Sequence, residues 1–178
     1  MIKFLMVARI LYDKGYAEYA EAARVVKGKG KKAEFGLLGR IDEAYPRHVP
    51  LEVVQGDDAA GIIRYLGHTS DVRPYMQEAD CIVLPSYHEG MSRVLMEALA
   101  MQKPIITSDI PGCRETVDDG KNGFLVPARD AQGLAQAFER FLALTDDERQ
   151  AMGRYSRLKA EKEFDVNKVI AVYRSITG

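Results

Sequence analysis

Six short apolar runs, at residues 3–7, 34–38, 62–66, 81–84, 104–107 and 124–126, recur along the chain with amphipathic stretches between them. Runs this short that stay apolar at consecutive positions suit strands buried on both faces, and the intervening stretches, at 15–26, 72–79, 92–101 and 113–117, carry helical spacing. That alternation predicts an α/β fold: a Rossmann-like, doubly wound parallel sheet of about six strands. Pro104 opens its run, the one strand position where a missing N–H is tolerated. Residues 42–61 are polar, contain Pro46 and Pro50, and read as a long loop with a short helix. Three helices without strands between them, at 131–144, 146–164 and 166–176, close the chain. Thr145 followed by Asp146, Asp147 and Glu148 makes an N-cap with an acidic first turn.

The 178 residues suit a single domain, 1–178, with a sizeable core. A net charge of −1 gives no bulk electrostatic pull toward nucleic acid or an anionic membrane. The basic run Lys27-Gly28-Lys29-Gly30-Lys31-Lys32 reads either as a phosphate patch or as the solvated end of a helix. Cys81 and Cys113 are too few for a disulfide framework and read as reduced structural thiols of a cytosolic protein. No apolar run is long enough to span a bilayer. The first residues read as a core strand rather than a signal peptide, which suggests a domain excised from a longer protein.

The residues that carry chemistry cluster at loops following strands. Glu89 lies just past the fourth run, where open α/β sheets bind ligands. Eight positions on, Glu97 is the only polar side chain in Val94-Leu95-Met96-Glu97-Ala98-Leu99-Ala100-Met101. A helix apolar all round is normally buried, and a carboxylate there needs a partner. Arg93, one turn back, is one candidate; hydroxyl groups of a ligand in a cleft are the other. Gly90, Met91 and Ser92 lead into this helix. Gly90 allows close backbone approach, Ser92 is a candidate cap, and the opening amides of Arg93, Val94 and Leu95 suit a phosphate oxygen. In the loop after the first run, Arg9 and Lys14 are five apart and read as a diphosphate clamp or as ordinary surface charges. Neither a Gly-rich dinucleotide turn nor a P-loop is present. His48, His68 and His88 lack metal-ligand spacing, and no metal site is expected. An acidic receiver-like pocket is not expected either, because its place holds Arg9 and Lys14.

Taken in register, these motifs resemble the retaining GT-B glycosyltransferases of glycosyltransferase family 4. Glu89 and Glu97 match the E-x7-E motif, and Arg9 and Lys14 match its GR-x4-KG start with Ala8 for the common Gly. Tyr65-Leu66-Gly67-His68 resembles its F-L-G turn, and Ala79-Asp80 through Pro85-Ser86 resembles A-D-x-x-V-L-P-S. Pro104 to Asp109, Pro111-Gly112, Glu115 and Asn122-Gly123 extend the match. Gln102 stands where Gly is common, and Ser92 where Pro is frequent.

The resemblance implies one half of a GT-B fold, the C-terminal, donor-binding domain, with the N-terminal acceptor domain absent. It implies a retaining hexosyltransferase that moves a sugar from a nucleotide diphosphate sugar, with a UDP-sugar as the expected donor, to an acceptor hydroxyl. No cofactor or metal is implied beyond that donor. Arg9 and Lys14 would hold the diphosphate, Glu97 the ribose hydroxyls, Glu89 with Gly90 to Leu95 the sugar and phosphates, and Gly67 with His68 the base. The similarity extends to the envelope and capsular polysaccharide branch. That implies a lipid-linked saccharide acceptor, no nucleic-acid partner, and a cytoplasmic protein peripheral to the inner face of the cell membrane. The isolated domain is expected to bind nucleotide and transfer sugar poorly. The rival reading is a non-catalytic nucleotide-binding or regulatory α/β module.

Overall fold

A computed structural model describes residues 1–164; the expected helix at 166–176 lies outside the described residues. Six strands form one parallel sheet: β1 (Ile2–Val7), β2 (Ala33–Leu38), β3 (Arg64–Tyr65), β4 (Cys81–Leu84), β5 (Ile105–Ser108) and β6 (Gly123–Val126). Their spatial order is β3-β2-β1-β4-β5-β6. β1 pairs in register with β2 on one side, Phe4 opposite Phe35, and with β4 on the other, Met6 opposite Val83. The chain reverses direction across the sheet between β1 and β4, so their following loops diverge and leave a crevice.

Among the described residues six helices cover the sheet: α1 (Tyr16–Gly28), α2 (Leu51–Ala59), α3 (Arg73–Glu78), α4 (Arg93–Ala100), α5 (Ala131–Ala143) and α6 (Asp146–Glu163). Side chains of β1 alternate between the two layers, as the strand pleat requires. Phe4 and Met6 join a core with Tyr19, Phe35, Phe138 and Phe141, whereas Leu5 and Val7 join one with Ile82, Leu95 and Leu99. Phe4 stacks on Phe35 at 5.2 Å and meets Phe138 at 4.6 Å, welding α5 to the strands. The N-cap expected at Thr145 forms at the head of α6, and it closes as a capping box in which Thr145 and Glu148 bond reciprocally.

Two expectations change. The third run contracts from 62–66 to Arg64–Tyr65, because the amides of Ile62 and Ile63 close the end of α2 on the Asp57 carbonyl instead of pairing with β2. Residues 113–117 form only a 3-10 turn, Arg114–Thr116, in which the Thr116 hydroxyl turns back on the Cys113 carbonyl.

Candidate functional site

Three loops at the carboxyl edge of the sheet are locked together through glycines. A Cβ on Gly39 would lie 1.7 Å from the Ala8 carbonyl oxygen, and one on Gly15 2.1 Å from that of Pro85. Gly15 has φ of 91° and ends a 3-10 turn, Tyr12–Lys14, that carries the loop after β1 into α1. The Tyr87 amide donates to the Asp13 carbonyl at 2.8 Å, so the loops after β1 and β4 share one backbone bridge. These contacts set Lys14 Nζ 2.6 Å from Glu89 Oε1, with side chains only 19% and 13% exposed. Two residues that the sequence placed on separate loops of one edge therefore form an ion pair at the crevice between β1 and β4.

Helix α4 starts from the same place. Its cap is Ser92, whose hydroxyl accepts from the Leu95 amide at 3.2 Å. The expected cradle of three open amides is thus reduced to two. Leu95 is committed to the cap, while the amides of Arg93 and Val94 donate to no protein acceptor among the described residues. The close approach expected at Gly90 belongs to Gly112, whose φ is 90° and whose Cβ would sit 1.7 Å from the Gly90 carbonyl oxygen. A Cβ on Gly90 itself would meet nothing within 4 Å. Met91 is exposed, and the Ser92 amide donates to the Gly112 carbonyl at 3.2 Å. Glu97 is 1% exposed. It shares a helix face with Arg93 and Val94, four and three positions earlier.

Beside α4 a cavity of about 310 Å³ opens over the ends of β1 and β2. Its floor is Val7, Ala8, Leu38, Val72 and Val94, and its rim carries Arg9, Arg40 and Arg93 with His68 and Thr69. No Asp or Glu lines it. Arg9 lies over the Tyr45 ring at 4.6 Å. The segment bearing Tyr45 clamps the loop after β1: the Ile10 amide donates to Arg40, the Tyr12 amide to Arg47, and Arg47 Nε to Asp13 Oδ1 at 2.7 Å. Gly67, with φ of 79°, accepts from the Gly39 amide and turns the chain toward exposed His68. The sequence reading missed Arg40 and the clamp. The available signal was the Gly39-Arg40 pair directly after β2, the neighbour of β1.

Neither thiol is a nucleophile at neutral pH. Both are buried and free, and burial pushes Cys113 up to about 11 and Cys81 well above its ordinary value. Burial and the hydrogen bond to Glu18 raise Tyr87 to about 12. Among the described residues no three of His, Cys, Asp and Glu converge as a metal-ligand set.

Fold and site together define a doubly wound α/β domain with a cationic cavity at the carboxyl edge of its sheet, beside the topological switch point. Residues 2–144 match the family model for glycosyl transferases group 1, and the chain belongs to that family. It is 37% identical over 145 residues to the N,N'-diacetylbacillosaminyl-diphospho-undecaprenol alpha-1,3-N-acetylgalactosaminyltransferase of Campylobacter jejuni, covering 82% of this chain and 36% of that protein. It is 27% identical over 162 residues to the capsular polysaccharide biosynthesis glycosyltransferase CapM of Staphylococcus aureus, covering 89% and 41%. The crystal structure of a glycosyltransferase from Rickettsia africae superposes with a TM-score of 0.81 at 25% identity, over 99% of this chain and 48% of that one. The architecture is that of one Rossmann-like half of a GT-B glycosyltransferase. The chain spans about two fifths of the length of the curated relatives it matches.

Proposed function

We propose that this chain binds a nucleotide diphosphate sugar at the carboxyl edge of its sheet. In the context of a full-length enzyme it would pass the sugar to an acceptor hydroxyl with retention of configuration. The observation that carries this reading is the acid-free cavity: three arginines on an apolar floor, in a protein whose net charge is −1. Low-dielectric walls under charges of one sign concentrate the field and favour an anion with a flat apolar part. The cavity wall includes Arg93 and Val94, whose free amides begin α4, and Arg9, five residues before Lys14. Arg9, Lys14 and those amides suit the diphosphate, which gains charge as the glycosidic bond breaks; fixed donors aimed at developing charge lower the barrier. Glu97 suits the ribose hydroxyls, because it lies on the helix face that also carries Val94 to the cavity. The floor near Gly67 and His68 suits the base. Glu89, held by Lys14, suits the hydroxyls of the donor sugar.

The names of the relatives support a place in bacterial envelope or capsular polysaccharide synthesis, with a lipid-linked saccharide acceptor. On that reading the full-length protein works on the cytoplasmic side, peripheral to the inner membrane face. The set of residues calls for no metal: cations already supplied by side chains and a helix end neutralise the leaving group.

The Lys14–Glu89 pair supplies the test. A nucleoside diphosphate must draw Lys14 toward its phosphates against Glu89, so removing that carboxylate frees the ammonium. Calorimetric titration with UDP and GDP should show Glu89→Gln binding the preferred nucleotide about fivefold tighter than the parent, near the upper value of an ion pair at this exposure. Lys14→Ala should bind it at least about tenfold more weakly, as expected for loss of a charge-assisted hydrogen bond. Lys14→Ala binding as tightly as the parent would overturn the assignment of Lys14 to the phosphates, and weaker binding by Glu89→Gln would overturn the competition between Glu89 and the ligand.

A further inference from the structure

The far end of the cavity carries a selectivity that none of the motifs assigns. The sheet order runs β4, β1, β2, β3, so three inter-strand steps of about 4.8 Å each separate the Glu89 loop from the residues after β3. With the diphosphate at Arg9, Lys14 and the head of α4, as proposed above, the base lies over the ends of β2 and β3. There it meets Gly39, Arg40, Gly67, His68 and Thr69.

The hydrogen-bonding groups at that end are unevenly spent. The Gly39 carbonyl accepts from the Tyr65 hydroxyl at 3.1 Å, and the Gly67 carbonyl accepts from the Gly39 amide at 2.9 Å. The Thr69 hydroxyl is engaged in both directions, donating to the Asp71 carbonyl at 3.3 Å and accepting from the Asp71 amide at 3.2 Å. No carboxylate lines the space. On the donor side, the Arg40 guanidinium makes no hydrogen bond or ion pair to protein among the described residues. It brings five N–H groups and no acceptor. The base end therefore holds one uncommitted group that can only donate, Arg40, and no carboxylate, while these carbonyls and the hydroxyl each already carry a protein partner.

We propose that Arg40 is a specificity-determining residue that reads the nucleobase, selecting bases with carbonyl-rich edges over bases that present an amino group. Guanine offers O6 and N7, and uracil, like thymine, offers O4; both take a guanidinium. Adenine and cytosine turn an amino donor toward it. A site whose polar groups are matched to one edge rejects the mismatched ligand by leaving those groups unpaired. The donor is accordingly a uridine or guanosine diphosphate sugar.

The test is a calorimetric titration of the folded chain with UDP, GDP, CDP, ADP and inorganic diphosphate, repeated on Arg40→Gln and Arg9→Ala. Glutamine keeps polarity and adds an acceptor. The parent should bind UDP or GDP at least about tenfold tighter than CDP and ADP, the discrimination expected of one well-placed pair. Arg40→Gln should erase that ratio by weakening only the preferred nucleotide, while inorganic diphosphate binds as before. Arg9→Ala should weaken all five ligands together. Equal binding of the four nucleotides by the parent, or a uniform loss in Arg40→Gln that includes inorganic diphosphate, would overturn base reading and leave the donor site standing. Failure of all five ligands to bind the parent would sink the donor site and this proposal with it.

Discussion

Gln102 shows how much a single backbone angle can hold. It adopts φ of 62°, the left-handed region that favours glycine, in the turn between α4 and β5. The turn cannot relax, because α6 passes so near that a Cβ on Gly153 would lie 2.3 Å from the Gln102 carbonyl oxygen. A non-glycine residue pays about 1–2 kcal/mol there. Gln102→Gly recovers that strain and loses roughly 0.4–1 kcal/mol through a freer unfolded chain. The expected net gain is about 1 kcal/mol, read as a melting temperature about 2–4 °C higher. An unchanged or lower melting temperature would show that the angle is carried without strain. The position was visible in the sequence as a departure from a glycine the family favours; the reason for that glycine is visible only in the dihedral. Lys14 and Glu89 were legible for a different cause: each follows a strand, and the strands turned out adjacent. Arg40 follows a strand too, but it stays unpaired only because no carboxylate folds against it, and no spacing encodes that.

At the scale of elements, five of the six strands were legible in their apolar runs and β3 only in part. β1, β2, β4, β5 and β6 fall within about one residue of their apolar runs. β3 is shorter than its run because two of the candidate residues, Ile62 and Ile63, close the end of α2 instead. The carboxyl-edge loops were legible in composition and not in contact. Gly90 and Gly112 look equivalent in sequence, yet only Gly112 is wedged, at φ of 90° against the Gly90 carbonyl. Gly112→Ala should cost at least about 2 kcal/mol, from an unfavourable dihedral with a backbone clash added. That corresponds to a fall of about 4 °C or more in melting temperature. Gly90→Ala should stay within about 0.5 kcal/mol of the parent, since open space receives its methyl group. Its nucleoside diphosphate affinity should nevertheless fall, because that open space adjoins the head of α4. Thermal scans of both variants with and without nucleotide separate the two effects. A Gly90→Ala protein that melts normally and binds normally would remove this stretch from the ligand's surroundings.

At the scale of the molecule, the sheet presents one chemical edge, and everything assigned to the donor lies on it. Nothing in the described residues duplicates that set for an acceptor. The relatives of known activity are more than twice as long as the matched region, since the chain covers only 36% and 41% of them. With donor and lipid-linked or free saccharide acceptors, this polypeptide alone should hydrolyse or transfer sugar at no more than about a hundredth of the rate of a full-length relative. That estimate follows from the cost of misplacing a reacting group by about an ångström. Release of nucleoside diphosphate in a coupled assay measures it. Turnover comparable to a full-length relative would show that the domain holds an acceptor as well. Fold class was the most legible property at this scale, because alternating buried strands and helices admit few arrangements. Which sugar moves was not legible, because sugar hydroxyls are met by loop side chains whose partners change with small displacements.

The glycine wedges carry a consequence for anyone who would re-engineer the nucleotide preference proposed above. Gly39 rests on the loop after β1, Gly15 on the loop after β4, and Gly112 on the stretch that opens α4. Each loop is thus the template on which the next is cast. Transplanting one of them from a homologue would import a surface cut to fit a neighbour that stayed behind. Chimeras that exchange the loops as a set inherit matched surfaces, and single-loop grafts do not. The practical unit of specificity in this scaffold is the whole rim.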